Sequence, residues 1–276
     1  MPKIGMSSVG LMRAQWIDAL KSAARNDFDA FELCCIFPFV DLDNTPREVI
    51  TEAKDIIYKH GMELSVHAPF LELNIAAFCS GIREESIRVI KKSVDFSEQL
   101  RAKTLVVHSG EFTFDTIPEN NRTNDNIITK KQWNHNIDSL RSINDYANSK
   151  DITVCLENIG LSPHSIDRCF EDLLEIRENV GDSLRFTLDM GHARLTEGAE
   201  KGIRLLGDSI YHIHLTDNLG KHDDHLPLGD GNYDYSNYAK FLRDFLHIII
   251  LEVVEISTDP KPVIRAKNAL NTLLSQ

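Results

Sequence analysis

Six short apolar runs in this chain carry a histidine or a carboxylate at their C-terminal end. They are Glu63–His67, Thr104–His108, Thr153–Glu157, Arg185–Asp189, Ile210–Leu215 with His214, and Ile248–Val253 with Glu252. Two further runs, Lys3–Met6 and Asp29–Leu33, lack one. Amphipathic segments separate the runs, so strand and helix alternate along the whole length, which favours α/β architecture with a parallel sheet. Runs such as Thr104-Leu105-Val106-Val107 and Ile248-Ile249-Ile250-Leu251 are nearly continuous in apolar residues, as strands covered on both faces should be. Eight strands with eight helices predict a single (β/α)8 barrel over residues 1–276. Groups at the C-terminal ends of such strands point into one common site.

The connecting segments carry their own signals. Thr45-Pro46-Arg47-Glu48 reads as a helix start, with Thr45 as N-cap, Pro46 in the first turn and Glu48 closing a capping box. That helix is expected to run to His60 and stop at Gly61. Ile82, Ile87, Ile90, Val94 and Leu100 predict an apolar stripe on the next helix, and Ile166, Phe170, Leu173, Leu174 and Ile176 another before Gly181. Gly110–Thr129 is the longest irregular stretch, with Phe112, Phe114 and Pro118 among polar residues, and reads as a lid or a surface insertion. Gly229-Asp230-Gly231 predicts a tight turn whose N–H groups either face an anionic substrate or simply close the turn.

Strand register selects five of the eleven histidines as candidate ligands: His67, His108, His192, His214 and His225. His192 follows Asp189 in Asp189-Met190-Gly191-His192, and His225 follows Asp223-Asp224. His60, His135 and His164 fall at or beside helices, His222 falls in a solvent loop, and His247 precedes a strand. His212 is expected to point away from His214 or into packing. Glu157 and Glu252 end otherwise apolar strands, where a carboxylate is costly to desolvate unless it is paired or bound to a cation. Hard oxygen and imidazole ligands arriving one strand at a time describe a metal site, and a mixed set of this kind suits Mn, Mg, Co or Zn.

Composition narrows the function. The 276 residues are 42% hydrophobic, enough for a large core, and barrels of this class take about 250 residues. A formal net charge of −12 argues against general affinity for nucleic acid or anionic membrane. No apolar stretch reaches the roughly 20 residues that span a bilayer. Met1-Pro2-Lys3-Ile4-Gly5 enters a strand at once, so no signal peptide and a cytoplasmic location are expected. Five cysteines without zinc-motif spacing read as buried free thiols.

Several motifs carry a family resemblance. Ser65-Val66-His67-Ala68-Pro69-Phe70, Val107-His108-Ser109-Gly110, Leu156-Glu157-Asn158, Leu188-Asp189-Met190-Gly191-His192, His212-Ile213-His214-Leu215-Thr216-Asp217-Asn218 and Asp223-Asp224-His225-Leu226-Pro227-Leu228-Gly229-Asp230-Gly231 resemble the xylose isomerase-like TIM-barrel superfamily. That group contains sugar and sugar-phosphate isomerases and epimerases, and also endonuclease IV. The resemblance to the ketose 3-epimerases implies one divalent ion on Glu157, Asp189, His214 and Glu252. It also implies a metal-stabilised enediolate, with Glu157 and Glu252 exchanging the proton and His192 holding a substrate oxygen. Resemblance to endonuclease IV implies up to three zinc ions, adding His67, His108, His192, Asp223 and His225, for phosphodiester hydrolysis at abasic sites.

The loops separate these branches. A nuclease needs basic strand-end loops and side chains that wedge into the duplex. Here the loop after the second strand, Cys34-Cys35-Ile36-Phe37-Pro38-Phe39-Val40-Asp41-Leu42-Asp43, has two acids and no base. It suits one wall of a small-molecule pocket or a contact between subunits of a homo-oligomer. The expected substrate is therefore a small sugar, with the nuclease as the alternative.

Overall fold

Period-two alternation gives each strand one face toward the barrel axis and one toward the helices, and the buried residues sort accordingly. A computed structural model describes residues 2–36, 39–113 and 127–275. Its strands are β1 (Lys3–Ser7), β2 (Ala30–Cys34), β3 (Glu63–His67), β4 (Thr104–Val107), β5 (Thr153–Glu157), β6 (Arg185–Asp189), β7 (Ile210–Leu215) and β8 (Ile248–Leu251). All pair in parallel in sequence order, and β1 closes on β8 with Gly5 opposite Ile250. The protein is thus a closed (β/α)8 barrel. Gly5 is required by close approach: a Cβ there would collide with the Ile250 side chain and with Ala30. Ala30, Ile248 and Ile250 form a small apolar floor inside the barrel, separate from the large core between strands and helices.

The helices are α1 (Trp16–Arg25), α2 (Arg47–His60), α3 (Ser80–Leu100), α4 (Ile127–Asn148), α5 (Phe170–Val180), α6 (Met190–Leu195), α7 (Ala199–Leu206), α8 (Ala239–Asp244) and α9 (Lys261–Leu274). Among the described residues the β6–β7 connection holds two of them, which accounts for one more than the eight expected. Gly61 ends α2 in the left-handed conformation (φ +62°), as its sequence predicts. The start of α2 differs from expectation. Pro46 is the N-cap, and its carbonyl accepts from Val49 and Ile50 N–H, while Thr45 Oγ1 donates to the Asp41 carbonyl instead of capping. On α3, Ile90, Val94 and Leu100 are buried and Ile87 is partly so, but Ile82 in the first turn is exposed. Ile166 is buried ahead of α5 rather than on it.

None of the five cysteines is in a disulfide. Cys34, Cys35 and Cys155 are buried as expected, whereas Cys79 is exposed and Cys169 half-buried. Among the described residues no helix is long and apolar enough to cross a membrane. Of the lid candidate 110–129, residues 114–126 lie outside the described residues, as do Phe37 and Pro38 of the loop after β2.

Candidate metal centre at the mouth of the barrel

The parallel register sets the C-terminal ends of β3 to β8 side by side, and their final inward residues meet on the axis. Glu157 is central. Its Oε2 lies 3.2 Å from His67 Nε2 and 3.1 Å from His108 Nε2, while its Oε1 lies 3.2 Å from His214 Nδ1. One carboxylate therefore faces two clusters, one oxygen to each. The second cluster, Glu157, Asp189, His214 and Glu252, has one ligand atom from each residue, all within 4.8 Å of one another. Glu252 Oε2 stands 3.3 Å and Asp189 Oδ2 3.8 Å from His214 Nδ1. β5 and β8 stand apart around the ring, yet their carboxylates converge on the same imidazole nitrogen.

A third cluster joins His192 of α6 to the loop after β7. Asp223 Oδ2 lies 3.0 Å from His192 Nε2 and 2.8 Å from His225 Nε2. All nine residues selected from the sequence thus fall into three adjoining groups. Three of the histidines have Nδ1 on a backbone carbonyl: His67 on Ala68 (2.8 Å), His192 on Asn158 (3.0 Å) and His225 on Glu252 (3.0 Å). A donor fixed at Nδ1 leaves Nε2 as the free lone pair, which is the arrangement metal-ligating imidazoles adopt.

Electrostatics at the mouth are those of crowded acids. Burial alone would raise the Glu157 carboxyl, but His214, His108 and His67 overcome it and hold it well below the usual range. Burial pushes Asp189 up to about 6, with Glu157 adding to the rise against His192. Burial disfavours the charged form of His214, yet Glu252, Glu32 and Glu157 raise it well above a free imidazole. His225 rises to about 9 in the same way, burial being outweighed by Asp223 and Glu252. Asp189 Oδ2 is buried without a hydrogen-bond partner. Three buried carboxylates around one imidazole, with an acceptor left unpaired, are a donor set that fits a divalent cation.

The Asp217 carboxylate pins the loop that carries Asp223 and His225. It accepts from Gly229 N (3.0 Å) and Tyr233 N (3.1 Å). Asn232 N also donates to the Asn218 carbonyl. The Gly229-Asp230-Gly231 segment is a turn, and its Gly229 N–H faces this internal acid rather than a substrate. Phe70 stacks on His108 at a ring separation of 4.5 Å and covers one side of the first cluster. Over β1 and β2, Val9, Met12, Ile36, Phe39 and Val40 line a small hollow. Among the described residues, no clustered ligand at the mouth comes from β1 or β2.

Two buried residues escaped the sequence reading. His212 points inward beneath His214, because residues two apart on a strand share a face; of the two expectations, pointing away is corrected, while burial in the packed interior agrees with the other. Its Nε2 lies 2.9 Å from Oε2 of Glu32, which sits mid-strand on β2. The signal for Glu32 was present: a carboxylate inside Ala30-Phe31-Glu32-Leu33-Cys34 needs a buried partner as much as Glu157 does.

Residues 20–273 match the family model described as xylose isomerase-like TIM barrel. A solved D-tagatose 3-epimerase-like protein superposes with a TM-score of 0.82 at 26% identity, covering 99% of this chain and 97% of that one. An uncharacterized protein of Methanocaldococcus jannaschii is 28% identical over 254 residues, 88% of this chain and 80% of the relative. A probable endonuclease 4 of Mycobacterium ulcerans is 26% identical over 220 residues, 76% of this chain and 79% of the relative. With a barrel of this topology and a match over nearly its whole length, the chain belongs to the xylose isomerase-like TIM-barrel family.

Proposed function

We propose that this protein is a divalent-metal-dependent isomerase or epimerase of a small sugar, ketose or sugar phosphate. The observation that carries the reading is the convergence of Glu157 Oε1 and Glu252 Oε2 on His214 Nδ1, at 3.2 and 3.3 Å, beside an unpartnered Asp189 oxygen. Similarity along the whole chain to a D-tagatose 3-epimerase-like protein supports the substrate class. An ion held by Glu157, Asp189, His214 and Glu252 would supply Lewis-acid polarisation of a substrate carbonyl. Proton movement belongs to the two glutamates, which arrive from β5 and β8. One removes the proton beside the carbonyl to leave an enediolate: return of a proton by the other glutamate to that carbon on the opposite face inverts the centre, whereas delivery to the former carbonyl carbon, with the neighbouring oxygen becoming the new carbonyl, gives isomerisation. His192 is held by the Asn158 carbonyl with its Nε2 toward Asp223, where it can hydrogen-bond a substrate hydroxyl.

A second reading has its own observation. Glu157 presents separate oxygens to two clusters, and His192, Asp223 and His225 make a third, which suits a three-ion phosphodiesterase like the endonuclease 4 relatives. The first is preferred on the loops. Asp41 and Asp43 follow β2, Arg194 is tied to Asp217 and the Asn218 carbonyl, and Arg168 lies over the Phe112 ring. Little of this suits a polyanion.

The test pairs metal analysis with two assays on one preparation. One ion per chain, with solvent deuterium entering a ketose at the carbon beside its carbonyl, supports the isomerase reading. Three zinc ions, with cleavage of an abasic duplex at physiological salt that is lost in Glu157→Gln, replaces it with the nuclease.

A further inference from the structure

We propose that Glu32, together with His212, is a positioning residue that fixes which nitrogen of His214 faces the metal. His214 is reversed relative to its neighbours. His67, His192 and His225 place Nδ1 on a backbone carbonyl and offer Nε2, whereas His214 turns Nδ1 toward Glu157, Glu252 and Asp189. No backbone carbonyl holds its other nitrogen. Instead His214 Nε2 lies 3.1 Å from Glu32 Oε1 as a close ion-pair contact, and neither of these buried atoms has any aligned hydrogen-bond partner. The second Glu32 oxygen accepts from His212 Nε2 at 2.9 Å and from Ser65 Oγ at 3.0 Å.

The physical logic is that of an outer-sphere partner. A carboxylate has no proton to give, so the His214 nitrogen opposite it must carry one, and Nδ1 is left with its lone pair toward the ion. Glu32, His212 and His214 are all fully buried, and the apolar floor of Ala30, Ile248 and Ile250 closes the same barrel interior. Ser65 and His212 occupy one side of the carboxylate, so His214 is the group that the remaining oxygen can orient. The spacing within Glu32, His212 and His214 would also admit an ion. Hydrogen-bond distances and the Ser65 donor favour the acceptor role.

This inference rests on the metal reading of Glu157, Asp189, His214 and Glu252, and its test separates the two. Zinc affinity is measured by competition with a chromophoric chelator for wild type, Glu32→Gln and His212→Gln. An amide at position 32 has one acceptor oxygen for two imidazole N–H groups, so Glu32→Gln is expected to bind zinc about 10–100-fold more weakly. His212→Gln keeps an N–H donor for Glu32 and is expected to stay within about threefold of wild type. In the zinc-loaded wild type, ¹⁵N imidazole spectra should place the His214 proton on Nε2 and the metal on Nδ1. A folded Glu32→Gln with unchanged zinc affinity overturns the inference, as does His214 bound to zinc through Nε2. The spectrum decides even where Glu32→Gln fails to fold. Wild type that takes up no zinc, manganese, magnesium or cobalt removes the metal reading, and this inference with it.

Discussion

Asn158 holds Asp189 by two hydrogen bonds to its backbone: Asn158 Oδ1 accepts from Asp189 N at 2.8 Å, and Asn158 Nδ2 donates to the Asp189 carbonyl at 3.0 Å. A side-chain amide thus mimics a strand neighbour at the point where β5 ends. The Asn158 carbonyl also accepts from His192 Nδ1, so one residue sets the positions of two candidate ligands. Asn158→Leu should remove both bonds and leave a buried N–H unpaired, costing about 1–3 kcal/mol of stability. Urea unfolding measures that cost. Metal affinity should fall about tenfold, and an unchanged affinity would make the clasp purely structural.

Glu157→Gln and Asp189→Asn should both lower metal occupancy while far-ultraviolet circular dichroism stays that of a folded barrel. They should differ in extent if more than one ion binds. Glu157 faces two clusters and Asp189 belongs to one, so Glu157→Gln should lose more metal equivalents. Elemental analysis of dialysed protein reads the difference. Equal and undiminished metal content in both variants would refute the ligand assignment.

Protons compete with metal at this site. Without metal, His225 titrates at about 9, and His214 and His192 lie well above a free imidazole. Metal uptake at pH 7 should therefore release protons, and affinity should climb as pH rises toward 9. Calorimetry in buffers of different ionisation enthalpy counts the protons. Stability of the metal-free protein should run the opposite way. A histidine whose folded pKa is raised stabilises fully below about 6.5 and loses that contribution as pH rises through its folded value. For His225 this amounts to at most about 3 kcal/mol between pH 6.5 and 9. A metal-free protein that gains stability over that range would contradict the assignment.

Gly231→Ala should loosen the third cluster selectively. A Cβ at Gly231 collides with the Asp217 carboxylate, which anchors the loop bearing Asp223 and His225. We expect about 1–3 kcal/mol of destabilisation from the forced shift. Any ion on His192, Asp223 and His225 should be lost before one on Glu157, Asp189, His214 and Glu252. Loss of all metal together would show that the loop and the axis are not separable.

The strands were legible because buried parallel strands are continuous in apolar residues. Glu63–His67, Thr153–Glu157, Arg185–Asp189 and Ile210–Leu215 begin and end in the structure as the sequence implies. β4 and β8 stop at Val107 and Leu251, leaving His108 and Glu252 just past the ladder, since residues that turn into the mouth give up pairing. Ligand-type residues were legible at strand ends, where a charge on an apolar run stands out. Glu32 showed the same signal in mid-strand, a charge on an apolar run, but its partner His212 comes from β7, which only the fold brings to it. Helix starts were the weakest point: Thr45 had an alternative acceptor in the Asp41 carbonyl, which short-range sequence could not rank.

The candidate ligands occupy β3 to β8 and their loops, leaving the arc over β1 and β2 walled by Val9, Met12, Ile36, Phe39 and Val40. In the proposed reading, the candidate ligands at the mouth and the apolar hollow lie in different sectors of one ring. Under that reading, the first two loops could be recast for a new substrate while the candidate ligands stay as they are, so substrate range would be free to diverge faster than mechanism.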